Sequence, residues 1–163
     1  MTRGRAIDIG FVCLASVLAV IAVNSYLSSE LEESRPEVFP VGSELPAAYP
    51  RATSRLQLLL AFRSDCRFCI QSVPFYTKLA AYSQRVGIDF RVLTLEPPEV
   101  VRAALVPAEG RHPDVVRISH FEFSGTPAIV LVDAQNRVVA SWLGWLSPRL
   151  EEEVFNAMER LAR

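Results

Sequence analysis

The chain has 163 residues, half of them hydrophobic, with 17 basic and 18 acidic residues and a net charge of −1. That is room for one ordinary domain and a little more. Basic and acidic residues are interspersed, Lys78 is the single lysine, and no Lys/Arg block occurs, which excludes the electrostatic footprint of a nucleic-acid partner.

Arg3 and Arg5 precede residues 7–27, which are apolar apart from Asp8, Ser16, Asn24 and Ser25. As a helix this stretch is long enough to span about 30 Å of hydrocarbon. Val20-Ile21-Ala22 is a weak cleavage signal, so residues 1–27 read as an uncleaved signal anchor in preference to a signal peptide. Arginines before the segment and Glu30, Glu32 and Glu33 after it put the N-terminus in the cytoplasm and the remainder outside. Cys13, inside the apolar run, reads as a small hydrophobe in lipid. Residues 28–40 are acidic, carry Pro36 and Pro40, and read as a linker to a domain over residues 41–163.

Val41-Gly42-Ser43-Glu44-Leu45-Pro46 opens that domain. Residues 56–62 are almost continuously apolar, as a strand buried on both faces should be. Then comes Cys66-Arg67-Phe68-Cys69, followed by a helical pattern in which Ile70, Val73, Leu79 and Tyr82 share a face and Gly87 is the stop signal. Residues 88–95 alternate as a second strand, and Pro97-Pro98 starts a short helix over residues 99–105. Residues 106–123, with Gly110, Pro113, His112 and His120, read as loop with at most a short element. Gly125-Thr126-Pro127 leads a strand to Asp133, and Ala134-Gln135-Asn136 turns it into a hairpin partner ending at Leu143. Ser147 and Pro148 start a final helix striped by Leu150, Val154, Met158 and Leu161. Trp142 and Trp145 flank Gly144 and read first as packing, second as a partner-binding surface.

The cysteine pair carries the chemistry. Cys66 falls at a helix N-terminus, where unpaired N–H groups and the helix dipole favour a thiolate, and Cys69 falls in the first turn. Such a pair can open and close a disulfide, the first sulfur attacking and the second resolving. Half of a zinc site and a small structural disulfide are the bland alternatives. Zinc wants four ligands, and beyond this pair the chain offers only Cys13, His112 and His120 as further thiol or imidazole ligands. No cofactor and no metal is expected, and either histidine reads as an ordinary surface residue.

Four features in order resemble the thioredoxin superfamily, and within it the membrane-anchored TlpA/ResA-like thiol–disulfide oxidoreductases. They are the Val41-to-Pro46 opening, the Cys66–Cys69 motif after a buried strand, Pro74 five residues beyond Cys69, and Gly125-Thr126-Pro127 before a strand and hairpin. The resemblance implies an α/β thioredoxin-like fold, a central mixed sheet with helices on both faces, preceded here by one transmembrane helix. It implies Cys66 as nucleophile, Cys69 as resolver, and a cis-proline loop at Thr126 and Pro127 against which a substrate segment pairs. It further implies a client protein with thiols or a disulfide, a membrane thiol relay as electron donor, and residence at the inner membrane facing an extracytoplasmic space.

There are departures. Asp65 stands where the family usually has Trp, and Leu60 where many members have a buried proton-shuttling Asp. Glu96 and Asp133 are the candidates to replace it. Arg67 should favour the Cys66 thiolate, Asp65 should oppose it, and Phe68 completes the tuning dipeptide. The favoured activity is a reductant serving cytochrome c maturation or metalloenzyme assembly. A peroxiredoxin-like peroxidase and a copper-binding chaperone of thioredoxin fold are the other readings. Leu59 and Arg63 stand where a peroxiredoxin would carry Pro and Thr/Ser.

Overall fold

The structure is a computed structural model that describes residues 16–23, 38–105 and 113–163. Residues 16–23 are helical, and among the described residues no helix is long and apolar enough to cross a membrane. The remainder of the expected anchor, with Cys13, lies outside the described residues, as does His112. Glu37–Arg163 is a compact unit of its own.

Its centre is a five-stranded sheet in the order β3-β2-β1-β4-β5. The strands are β1 (Leu56–Ala61), β2 (Asp89–Thr94), β3 (Asp114–Arg117), β4 (Ala128–Asp133) and β5 (Val138–Leu143). β1, β2 and β3 run parallel, whereas β4 is antiparallel to both β1 and β5. Every residue of β1 is buried, including Gln57, whose amide N–H donates to Asp89 Oδ2 at 3.1 Å. A central strand covered on both faces has no polar side to alternate with, which is why its sequence is a run rather than a pattern. β2 was expected to alternate, but it only begins half-buried and ends fully buried at Val92, Leu93 and Thr94.

Helices α1 (Arg67–Gln71) and α2 (Val73–Val86) follow β1, α3 (Pro98–Ala104) follows β2, and α4 (Pro148–Ala162) closes the chain. The helix expected after Cys66 is interrupted at Ser72, two residues before Pro74, and so forms two. Pro74 has no N–H to give the Ile70 carbonyl, so the α-helical ladder cannot continue through this turn. The split also explains why Ile70 is exposed while Val73 and Leu79 are buried. Gly87 ends α2 at φ 73°, the left-handed conformation a glycine adopts without a Cβ penalty. Ser147 is the N-cap of α4, although its hydroxyl makes no capping bond.

Two cores sandwich the sheet. Leu58, Leu60, Val92, Ile129 and Leu131 meet Leu79 of α2, Val101 of α3 and Met158 of α4 on one face. Leu59, Ala61, Leu93 and Val130 meet Val38, Leu45, Tyr49 and Ile118 on the other. Among the described residues the second core contains no helix residue, a difference from the expected helices on both faces. There the described cover is chain without regular helix, tied by aromatic contacts: Phe39 packs edge-on against Tyr49 and Phe123, and Phe121 stacks on Phe123. The segment after β2 supplies part of this cover after first adding β3 to the sheet edge. Val38, in the stretch read as linker, is buried in this core.

Leu131 is wholly buried at the centre of the helix-covered face. Leu131→Ala should cost about 2–5 kcal/mol through lost contacts and a residual cavity. Urea unfolding at constant pH reads this directly, and a loss below about 1 kcal/mol would contradict the packing described.

Candidate active site

β1 ends at Ala61 directly opposite Ala128, the first residue of β4. The loop leaving β1 and the loop entering β4 therefore emerge side by side at one end of the sheet. The first carries Arg63 to Cys66, and the second carries Thr126-Pro127, whose peptide bond is cis. The Cys66 sulfur lies 3.3 Å from the Thr126 carbonyl oxygen, within reach of a thiol donor. Pro127 is buried, and its carbonyl accepts from the Gly144 N–H at 2.7 Å, which pins the loop to the end of β5.

Cys66 is the N-cap of α1. Its extended backbone (φ −87°, ψ 111°) turns the side chain back so that the sulfur accepts the Cys69 N–H at 3.2 Å. Sulfur here takes the place of the oxygen that Ser, Thr or Asp supplies at ordinary caps. Burial raises the Cys66 pKa, but hydrogen bonds from the Cys69 thiol, the Thr126 side chain and the Cys69 and Phe68 backbone outweigh it and hold the thiol below its ordinary value. Cys69 is wholly buried; burial, reinforced by its hydrogen bond to Cys66, pushes its thiol up to about 12. The pair is thus polarised into an accessible sulfur suited to attack and an enclosed one that holds its proton.

The tuning residues are placed differently from the simple opposition of Asp65 and Arg67. Arg63 forms a two-pronged pair with Asp65, Nε to Oδ1 at 2.9 Å and Nη2 to Oδ2 at 2.6 Å. Asp65's charge is therefore offset locally by a guanidinium. Arg67 and Phe68 are both exposed, Phe68 by 52%, and Trp145 just beyond β5 is equally exposed at 52%. Trp142, by contrast, is core, with its indole N–H donating to Glu153 Oε1 at 3.1 Å.

Neither candidate for the missing acid is placed as a shuttle. Asp133 pairs with Leu56, at the end of the sheet remote from the cysteines, and accepts the Gln135 and Arg137 N–H groups of the hairpin. Glu96 is near, but both its oxygens are engaged by Ser64. Leu60 is wholly buried and helps line an apolar cavity of about 10 Å³ with Tyr76, Phe90 and Val92. Burial keeps the Tyr76 phenol protonated far above its usual range. His120 is exposed and turned to Ser119 and Glu122. Among the described residues no three His, Cys, Asp or Glu side chains gather as a metal site. Sequence reasoning missed the Arg63–Asp65 pair and the Ser64–Glu96 pair; opposite charges two residues apart in a turn were the one available signal, for the former.

No protein-family model matches the chain, and no curated protein does. Solved structures do. One from Chlorobium tepidum, described as thiol:disulfide interchange protein DsbE, superposes with a TM-score of 0.60 at 20% identity over 77% of this chain and 99% of that one. The thioredoxin domain of a Bacteroides vulgatus thiol-disulfide oxidoreductase gives 0.57 at 16% identity, over 77% and 99%. A thiol:disulfide interchange protein from Bacteroides sp. gives 0.56 at 16%, over 76% and 90%. The fold is thioredoxin-like: a mixed central sheet with flanking helices.

The split between the two thiols has a direct readout. With rising pH, iodoacetamide should modify Cys66 first, at a midpoint below that of an ordinary thiol, while Cys69 in the folded protein stays protected up to about pH 12. Peptide mapping after timed alkylation distinguishes them, and equal labelling at neutral pH would contradict the geometry.

Proposed function

We propose that this protein is a thiol–disulfide oxidoreductase that exchanges dithiol and disulfide with client proteins, Cys66 attacking and Cys69 resolving. The observation that carries the reading is the cysteine pair itself, one sulfur at a helix N-cap beside a cis-proline loop and the other enclosed beneath it. The Cys66 thiolate attacks a client disulfide, a mixed disulfide forms, and the departing client sulfur takes a proton. Cys69 then attacks the Cys66 sulfur, its proton passing to the second client sulfur as that sulfur leaves, and a Cys66–Cys69 disulfide remains. Two electrons have passed to the client. Exposed Phe68 and Trp145 flank the site as apolar ground for the client chain, with the Thr126-Pro127 backbone beside the sulfur as its pairing edge.

The protein works as a reductant at the outer face of the inner membrane, tethered by residues 1–27 and serving cytochrome c maturation or metalloenzyme assembly. An extracytoplasmic space is oxidising, so the Cys66–Cys69 disulfide must be reopened by a thiol relay in the membrane, and a tether keeps the domain beside it. The hydrophobic N-terminal run with its arginines before and glutamates after supports this placement.

The full-length protein, supplied with dithiothreitol, should reduce insulin disulfides. Cys66→Ser should lower the rate at least about a hundredfold, since the attacking sulfur is gone. Cys69→Ser should instead accumulate a mixed disulfide with a client, visible as a dithiothreitol-sensitive adduct on a non-reducing gel. Insulin reduction that survives Cys66→Ser would sink the assignment.

A further inference from the structure

Ser64 stands two residues before Cys66, where the chain has left β1 and not yet entered α1. Both its polar groups go to one carboxylate: its N–H donates to Glu96 Oε1 at 2.8 Å, and its hydroxyl donates to Glu96 Oε2. Glu96 is two residues beyond the end of β2, the parallel neighbour of β1. Its own N–H donates to Thr94 Oγ1 at 3.1 Å, and Thr94 is wholly buried. The carboxylate is thus anchored to the sheet at its back and grips the active-site loop at its front.

The grip falls inside the turn that sets Cys66. Just before Ser64, the Arg63 carbonyl accepts the Cys66 N–H at 3.3 Å. Displacing Ser64 displaces that turn, and with it the Cys66 sulfur that accepts the Cys69 N–H. We propose that Glu96 is a positioning residue for the exchange reaction, holding the loop through Ser64 so that the Cys66 sulfur meets the Cys69 N–H. This rests on the reading of Cys66 and Cys69 as the redox pair.

Charge and position make opposite demands here, which renders the proposal decidable. The ionisable groups around the loop are Arg63, Asp65, Cys66, exposed Arg67, Cys69, Glu96 and the buried Tyr76, with Arg63 acted on by Asp65, Glu96 and Cys66 together. A carboxylate acting only by its charge opposes a nearby thiolate, so removing it would lower the pH at which Cys66 ionises. A carboxylate acting by position preserves the hydrogen bonds to the thiolate, so removing it raises that pH.

The experiment uses the full-length chain as wild type, E96A, E96Q and S64A, and measures iodoacetamide alkylation of Cys66 against pH together with the reduction potential of the pair. E96A should raise the alkylation midpoint by about half to one pH unit, slow alkylation at neutral pH about three- to tenfold, and make the potential more negative. E96Q keeps an acceptor for the Ser64 N–H and should lie nearer the wild type than E96A does. S64A, which loses the hydroxyl bond alone, should lie between. An unchanged pH profile in E96A, or a midpoint lowered in both Glu96 variants, overturns the proposal. Should E96A fail to fold, S64A decides: a raised midpoint supports the clamp and an unchanged one removes it. Failure of the wild type to reduce insulin would overturn the exchange reading instead, and the alkylation profiles would still judge the clamp.

Discussion

The hydrogen bond from the Cys69 N–H to the Cys66 sulfur joins secondary structure to chemistry in a single contact. The same sulfur that would attack a disulfide is the group that caps α1, so the helix and the thiolate stabilise each other. For that to work, Cys66 must stay extended while Arg67 becomes helical, and the loop from β1 must deliver it at that angle. Much of what surrounds the site serves this delivery. Phe62, wholly buried, donates its N–H to the Leu93 carbonyl and fixes where the loop leaves the sheet. The Arg63–Asp65 pair braces the loop on its exposed side, and Ser64 is held from β2.

The sheet explains why two distant parts of the chain meet at this point. Antiparallel pairing of β1 with β4 sets Ala61 against Ala128, and a shift by one residue would turn every β1 side chain to the opposite core. With both faces apolar, the register is held by the packing of particular side chains, Leu58, Leu60, Ile129 and Leu131 on one side and Leu59 and Val130 on the other. The position of the Thr126 carbonyl, 3.3 Å from Cys66, is therefore set by packing several residues away.

Local chemistry was readable in the sequence, and long-range tertiary detail was not. β1, the Cys66 cap, the Gly87 stop, the Pro127 turn and the final helix each announce themselves by residue type at a fixed spacing. Pro74 marks an interruption of the active-site helix in the sequence, and the structure places it at Ser72. Helices on both faces were an implication of the resemblance, not of any periodicity; the aromatic contacts among Phe39, Tyr49, Phe121 and Phe123 that cover the second core join distant positions and leave no local signal. In the site, the two sulfurs were legible from spacing alone. The engagement of Glu96 by Ser64 was not, since it spans two strands and depends on their parallel pairing.

As proposed, Cys66 and Cys69 form a reversible two-electron couple poised to give electrons away. Equilibration of the full-length protein in glutathione and dithiothreitol buffers, followed by thiol trapping, tests it most directly. One transition is expected, with a tenfold change in the oxidised-to-reduced ratio per about 30 mV, centred near the thioredoxin value of about −270 mV. A midpoint near the −120 mV of a strong oxidant would contradict the direction of transfer, and no transition at all would contradict the exchange chemistry itself.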